Sequence, residues 1–240
     1  SHNGDFIIRN EEGKAISQFY GYVVDGIFQN KTEVTSYTNE HGTAMQPNAQ
    51  PGDFRYKDLN HDGVIDEKDK TYIGNPFPDL MLGVNLNASY HRWDVQAQFY
   101  GTFGNDIYNL NRERYFGQNG SNVMAGTLDK AWHGEGTTNE YPRLSVNDAN
   151  QNYTRPSSYF VEDGSYFRCK LLQIGYTIPE SVLHLCSVRL SLSAQNLFTI
   201  TKYSGMDPET ASMGGVTQAG IDWTGYPNPR TILFGVNVNF

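Results

Sequence analysis

Gly83-Val84-Asn85-Leu86-Asn87-Ala88-Ser89-Tyr90-His91-Arg92-Trp93-Asp94-Val95-Gln96-Ala97-Gln98-Phe99 decides the fold class. Val84, Leu86, Ala88 and Tyr90 alternate with Asn85, Asn87 and Ser89. After His91-Arg92, Trp93, Val95, Ala97 and Phe99 alternate with Asp94, Gln96 and Gln98. Successive side chains of a strand point to opposite sides, so period two marks a strand whose two faces differ. Two such runs joined by two residues make a hairpin with one apolar and one polar face.

Downstream the same period returns. Leu172, Ile174, Tyr176 and Ile178 alternate with Gln173, Gly175 and Thr177. Val188, Leu190, Leu192 and Ala194 alternate with Arg189, Ser191, Ser193 and Gln195, and Ile232, Phe234, Val236, Val238 and Phe240 close the chain. Phe167 and Cys169 have the opposite parity to Leu172, which requires either a bulge or a strand end that projects beyond the patterned region. Upstream, Asp5-Phe6-Ile7-Ile8 reads as the end of another strand, so an open arc of about six antiparallel strands is expected. Eight is the smallest number that closes a membrane barrel.

The connections alternate between long and short: residues 9–80, His91-Arg92, residues 104–165, residues 179–187, and residues 204–230. Outer-membrane barrels have short periplasmic turns and longer extracellular loops. Tyr90 and Trp93 flank the first short turn, where an aromatic girdle is expected, and Phe240 would then lie at the periplasmic rim. A soluble sandwich alternates in the same way, but its connections are expected to be of similar length at both ends. The organisation read from the chain is a loop region over residues 9–80 and barrel strands with further extracellular loops over residues 81–240. One helical turn is expected near Leu128 to Trp132.

Bulk properties agree with an all-β class. Across 240 residues there are 16 Tyr, 13 Phe and 24 Gly, a composition that favours strands and turns over helices. The formal net charge of −8 leaves no basic stripe for phosphates, which argues against nucleic acid. The mean hydropathy of −0.56 and the lack of any long apolar run exclude a transmembrane helix, but not barrel strands, which show lipid only every second residue. The first residues, Ser1-His2-Asn3, carry no signal-peptide pattern and read as the start of a fragment or processed chain.

A second stretch carries chemistry. Residues 58–69, Asp58-Leu59-Asn60-His61-Asp62-Gly63-Val64-Ile65-Asp66-Glu67-Lys68-Asp69, place oxygen side chains at loop positions 1, 3, 5, 9 and 12, with glycine at 6. Calcium takes six to eight oxygens, and the glycine allows the turn that points them inward. The expected ligands are Asp58, Asn60, Asp62, the Val64 carbonyl, Asp66 and Asp69, holding one structural Ca2+. Asp69 departs from the usual Glu at position 12, and the flanking Pro51-Gly52 and Gly74-Asn75-Pro76 leave no room for two long helices. A metal-free acidic turn is the alternative.

Several segments together resemble the SusC/RagA family of TonB-linked outer-membrane transporters. They are Phe19-Tyr20-Gly21-Tyr22-Val23-Val24-Asp25-Gly26-Ile27-Phe28-Gln29, Pro51-Gly52-Asp53 with the Asp58-Leu59-Asn60-His61-Asp62-Gly63 loop, and Gly74-Asn75-Pro76-Phe77-Pro78-Asp79. Gln195-Asn196-Leu197-Phe198-Thr199-Ile200-Thr201-Lys202-Tyr203-Ser204-Gly205, Asp207-Pro208-Glu209 and Tyr226-Pro227-Asn228-Pro229-Arg230-Thr231 complete the set. The resemblance implies the C-terminal part of a large antiparallel transmembrane β-barrel of about 22 strands. It also implies TonB-dependent uptake of glycans or peptides with a SusD-like surface lipoprotein. The remainder of the barrel, outer-membrane lipid and TonB, acting through a plug, are the other implied partners.

Catalytic signatures are missing. The sequence has no His-Glu-x-x-His, no Gly-x-Ser-x-Gly and no phosphate loop. His133 beside Glu135, and His184 near Cys186, read as isolated loop residues, and the adjacent acids Glu162 and Asp163 face opposite ways on a strand. Tyr108, Tyr115, Phe116, Trp132, Trp223 and Tyr226 are candidates to stack on sugars or grip a partner, or simply to pack loops. Cys169 and Cys186 are expected to stay unbridged, because the nine residues from Cys169 to Ile178 span ~30 Å as a strand. Two other classes remain: a soluble calcium-stabilised β-sandwich that binds carbohydrate, and a β-rich glycosidase domain.

Overall fold

A computed structural model describes residues 6–115, 122–210 and 215–240. Phe116 lies outside the described residues. The chain opens on short strands: β1 (Ile8–Arg9), β2 (Gln18–Gly21), β3 (Val24–Ile27), β4 (Phe54–Tyr56) and β5 (Thr71–Gly74). Then come the long β6 (Leu80–Tyr90) and β7 (Trp93–Phe103), the short β8 (Asp106–Asn109) and β9 (Val161–Asp163), and the long β10 (Tyr166–Ile178) and β11 (Ser187–Thr201). The short β12 (Ile221–Asp222) and the long β13 (Thr231–Asn239) follow. Helices are few and short: α1 (Lys31–Ser36), α2 (Leu110–Tyr115), α3 (Thr127–Lys130) and α4 (Glu180–Leu183). No helix among the described residues is long and apolar enough to cross a membrane. The chain divides into two units, a loop unit (residues 1–76, 106–162 and 211–224) and a sheet unit (residues 77–105, 163–210 and 225–240).

The sheet unit is one antiparallel sheet in the order β13-β11-β10-β7-β6. Its register aligns the apolar positions of all five strands in ranks. Leu86, Ala97, Leu172, Ala194 and Ile232 stand side by side, as do Ala88, Val95, Ile174, Leu192 and Phe234. Tyr90, Trp93, Tyr176, Leu190 and Val236 form the next rank, where the Trp93 and Tyr176 rings lie 4.8 Å apart. Directly paired residues share a face, so these ranks form one continuous apolar surface. That surface is open: Leu86, Leu192 and Phe234 are 57%, 54% and 70% exposed. Each such side chain left in water forgoes roughly 1.5–3 kcal/mol. Summed over three ranks, the loss exceeds the whole stability of a typical domain, ~5–15 kcal/mol. The face therefore needs a cover that is not water.

Strand ends confirm the alternation of connections. The His91-Arg92 turn and the connection containing α4 join strands at one end of the sheet, and every long connection leaves from the other. The expected sixth strand is not in this sheet: Phe6 is exposed, and β1 pairs with β2 in a separate three-stranded sheet, β1-β2-β5. Phe6 to Arg9 is too short to span beside strands of nine to fifteen residues, and the turn to β2 binds it elsewhere. Cys169 and Cys186 carry free thiols near opposite ends of β10.

The parity break before Leu172 is a bulge. Register shifts between Cys169 and Leu171 against both β7 and β11, leaving Lys170 as the inserted residue. Opposite it, β11 fits Asn196 and Leu197 between the partners of Leu171 and Cys169, with Asn196 at φ 51°. On the polar face, Arg189 of β11 reaches across β10 to Asp94 of β7, with Nε 3.1 Å from Oδ1. The ion pair passes over Gly175, where a Cβ would fall 2.4 Å from Asp94 Oδ1 and 2.6 Å from an Arg189 nitrogen.

The loop unit has its own core in two clusters. Ile7, Phe19, Tyr108, Leu110, Phe160 and Ile221 form one, and Tyr22, Ile27, Phe54, Tyr56 and Ile65 the other. Order inside residues 9–80 thus comes from short strand pairs, β2 with β5 and β3 with β4, that aromatic side chains cover. The helical turn expected near Leu128 is α3.

Gly175→Val is expected to push Asp94 and Arg189 apart and lower stability by about 1–3 kcal/mol, the usual cost of overpacking. Denaturant unfolding of the complete protein in detergent checks this; an unchanged midpoint would show that the close approach over Gly175 is not needed.

Candidate functional site

In the acidic loop, residues 58–69, the chain folds around its own carboxylates. Asp58 accepts the N–H of His61 at 2.7 Å and of Gly63 at 2.8 Å, one on each oxygen. Asn60 accepts the Asp62 N–H, and Asp62 accepts the Val64 N–H at 3.1 Å. Gly63 takes φ 79°, and a Cβ there would lie 2.3 Å from Asn39 Cβ, so the position needs glycine for both conformation and space. The far end closes on Asp69, which is fully buried and accepts the N–H groups of Leu59 and Asp66. Ile65 packs into the second apolar cluster while Val64 is exposed, as expected of a loop that hangs on one apolar anchor.

Lys68 reaches two of these acids. Its Nζ lies 3.4 Å from Asp62 and 3.9 Å from Asp66. The Asn60 amide, helped by the Val64 N–H and Lys68 against a smaller upward push from burial, holds the Asp62 carboxyl below the usual carboxylate range. Among the described residues no group of three or more His, Cys, Asp or Glu converges as a metal cluster. The fold thus brings Asp58, Asn60 and Asp62 together at one end of the loop, with the Asp62–Asp66 approach bridged by Lys68, and it spends both oxygens of Asp69 on backbone closure. The Asn60 and Val64 carbonyl oxygens that the calcium reading uses are neutral donors, a set suited to a hard cation.

Pro51-Gly52-Asp53 is a hub just upstream of this loop. Gly52 takes φ 91°, and a Cβ there would fall 2.4 Å from the Trp132 ring. Its N–H bonds to Phe28 and its carbonyl accepts the Arg143 N–H. Asp53 is fully buried: Arg143 Nε meets one oxygen at 2.6 Å, the Asn152 amide donates to the same oxygen, and the Gln50 N–H donates to the other. Side chains then take the place of a neighbouring strand for β4. Asn152 accepts the Phe54 N–H, Gln46 accepts the Tyr56 N–H, and Gln46 and Asn150 both donate to the Phe54 carbonyl.

A second charged cluster lies in the sheet unit, and sequence reading did not single it out. Arg168, with its side chain 4% exposed, meets Asp207 at 2.5 Å and Glu209 at 2.6 Å, and donates to Thr199. The bulged Lys170 also pairs with Glu209. Asn228 donates its backbone N–H to Asp207 and its amide to Glu209. Burial pushes Asp207 up, but the Arg168 guanidinium and the N–H groups of Asn228 and Glu209 outweigh it and hold the carboxyl below the usual range. The available signal was the broken parity around Arg168, together with the acids of Asp207-Pro208-Glu209.

The other candidates separate. Glu162 binds Asn109 and Arg112 while Asp163 accepts the Ser165 N–H, so the adjacent acids do not converge as a catalytic pair. His133 bonds the Ala131 carbonyl, and Glu135 accepts from Asn30. Tyr108 is core, and Trp132 covers Gly52 and donates to Gln29. Trp223 and Tyr226 are exposed.

Comparison with known proteins gives this geometry a family. No family model matches the chain. It is 35% identical to TonB-dependent receptor P3 of Formosa agariphila, over 95% of this chain and 22% of that protein. It is 25% identical to TonB-dependent receptor SusC of Bacteroides thetaiotaomicron, over 99% of this chain and 21% of that protein. A solved structure of the RagAB peptide transporter has the same fold over 94% of this chain and 23% of that one, with a TM-score of 0.66 at 21% identity. The chain matches part of TonB-dependent receptors of the SusC/RagA kind. It spans about a fifth to a quarter of the length of the curated relatives it matches. The segments that carry the SusC/RagA resemblance are the ones that build the geometry above. Pro51-Gly52-Asp53 makes the buried pair with Arg143, Asp207-Pro208-Glu209 and Asn228 surround Arg168, and the five strands are all-β barrel-type strands.

Two outcomes are expected. Asp53→Ala leaves Arg143 unpaired and should cost about 3–5 kcal/mol, seen as faster proteolysis within residues 9–76 of the complete receptor; unchanged cleavage there would contradict the hub. Because the folded value of Asp207 is depressed, its contribution to stability is complete above its ordinary value of 3.8 and is lost as pH falls through the folded value. The stability gap between wild type and Asp207→Asn, measured by denaturant unfolding, should therefore be full at neutral pH and close on acidification; a gap that widens in acid would contradict the pairing.

Proposed function

We propose that this chain forms wall strands and external loops of an outer-membrane barrel that imports nutrients in a TonB-dependent way. One observation carries the reading: the apolar ranks cross all five strands and stay open to the outside. In a sandwich the same face would pack on a second sheet about 10 Å away. Lipid is the cover that a one-faced sheet with two unpaired edges takes when further strands continue it.

Family likeness supports the remaining parts. The substrate is an oligosaccharide or a peptide, captured with a SusD-like surface lipoprotein, and TonB acts through a plug formed outside these residues. The chain's part is structural: its strands hold the barrel and its loops shape the mouth. No residue is assigned to bond breaking.

Within that reading residues 58–69 hold one structural Ca2+ through Asp58, Asn60, Asp62, the Val64 carbonyl, Asp66 and Asp69. The ordered oxygens of Asp58, Asn60 and Asp62 support it. An ion would displace Lys68 from Asp62 and Asp66 and take over the neutralisation of the loop. Its chemistry is charge compensation alone.

Fractionation of cells expressing the complete receptor should place it in the outer membrane. Leu192→Arg, on the apolar face, should cost ~2–4 kcal/mol near the bilayer midplane and cut assembled receptor sharply, whereas Ser193→Arg, on the polar face, should assemble. Equal tolerance of both would contradict a lipid-facing surface. For the ion, added calcium should protect residues 58–69 from protease in wild type and not in Asp62→Ala; protection that ignores calcium would leave an acidic turn closed by Lys68.

A further inference from the structure

The last long connection, residues 202–230, belongs to both units. Its middle, residues 211–224, is part of the loop unit, where Ile221 is buried and β12 pairs with β8. Its two feet stay with the sheet unit. The first foot meets one guanidinium, and the second foot meets the first. From the first foot, Asp207 and Glu209 pair with Arg168. From the second, Asn228 donates its N–H to the other oxygen of Asp207 and its amide to Glu209.

The strand side is prepared for this by the two bulges. Counting by twos from Leu172 would place Arg168 on the apolar face; the insertion at Lys170 in β10 moves it to the face of Tyr100 and Thr199, and Lys170 pairs with Glu209 beside it. The matching irregularity in β11 puts Asn196 at φ 51°, from where its amide donates to the Pro229 carbonyl at 3.0 Å. A bulge re-aims side chains at the rim of a sheet. Here two neighbouring bulges aim three donors at the feet of one loop.

The charges also decide the strength. Arg168 and Lys170 face Asp207 and Glu209, two cations and two anions, with Asn228, Thr199 and backbone N–H groups filling the remaining sites. A buried ion pair is a weak source of net stability compared with apolar packing, but removal of one partner is costly because the other charge is stranded. Such a cluster therefore fixes geometry more than it adds stability.

We propose that Arg168 is a positioning residue that fixes the first foot of the last connection to the bulged rim of β10 and β11 and, through Asp207 and Glu209, holds the second foot at Asn228 as well, and that import depends on this clamp. The inference rests on the importer reading for its last clause only. Asp207-Pro208-Glu209, the Asn196 bulge and Asn228 then serve one purpose: the acids supply the charge, the bulge the donor angle, and the second foot the closure.

The test uses the complete receptor in outer membranes and compares Arg168→Met, Arg168→Lys and Glu209→Gln with wild type. In Arg168→Met, protease cleavage within residues 202–230 should rise about tenfold or more, because the open state of the loop is populated once the acids are stranded. Substrate uptake should fall while the amount of assembled receptor does not. Arg168→Lys keeps the charge but loses the two-pronged fork, so it should rescue assembly-independent protection only partly. Glu209→Gln lies outside the strands and should show the same loop-specific cleavage if Arg168→Met does not reach the membrane. Wild-type cleavage rates in both Arg168→Met and Glu209→Gln would overturn the clamp. Loop cleavage with normal uptake would overturn the dependence of import on the clamp and keep the clamp. Failure of wild type to localise to the outer membrane would sink the importer reading, while the cleavage comparison would still decide the clamp.

Discussion

Backbone hydrogen bonding in a medium without water is the constraint on which the proposed barrel wall depends. Strands survive in hydrocarbon only when every N–H and C=O is paired within the sheet, so a lipid-facing sheet must continue until it closes. The five strands here satisfy one another through β11, β10 and β7, and leave β6 and β13 as edges. Those edges and the open apolar face are liabilities in a free-standing domain, where they would template aggregation. In a barrel wall they are the joints.

Alternation along the strands then assigns the other features. Apolar ranks face outward, and polar residues are free to carry charge on the other side, as Asp94 and Arg189 do across Gly175. The bulges at Lys170 and Asn196 lie toward the end where the long connections leave. Irregular backbone brings its own requirement for partners. The loop unit meets it with side chains in place of strands: Asn152, Gln46 and Asn150 around β4, and Asp58 and Asp69 within the acidic loop.

Much of this was legible in the residues. Period two placed the alternating apolar positions of the five long strands on one face, and the parity break before Leu172 announced the bulge. Period alone overcounted at Phe6, because a strand stub of a few residues has no period to read. It also read residues 9–80 as irregular; the short strands there are held by aromatic contacts and by side chains more than a hundred residues away, such as Asn139 on Ile27 and Asn150 on Gln46. Long-range pairings of that kind leave no local pattern. Tyr108 and Trp132, candidates for ligand contact, turned out to pack cores because loop aromatics in a glycine-rich chain serve both purposes. The Arg168 cluster was hidden for a related reason: its members lie on two strands and both feet of a loop, and only the fold brings them together.

Single-cysteine labelling along β11 in the complete receptor tests the central claim most directly. Residues 188 to 195 are replaced one at a time and exposed either to a lipid-soluble or to a water-soluble thiol probe in native membranes, in a background without Cys169 and Cys186. The account predicts a period of two: the lipid-soluble probe marks positions 188, 190, 192 and 194, and these resist the aqueous probe, while positions 189, 191, 193 and 195 escape the lipid-soluble one. Labelling of both sets alike, or an even-numbered set that no lipid-soluble probe reaches, would contradict a barrel wall and place the apolar face against protein.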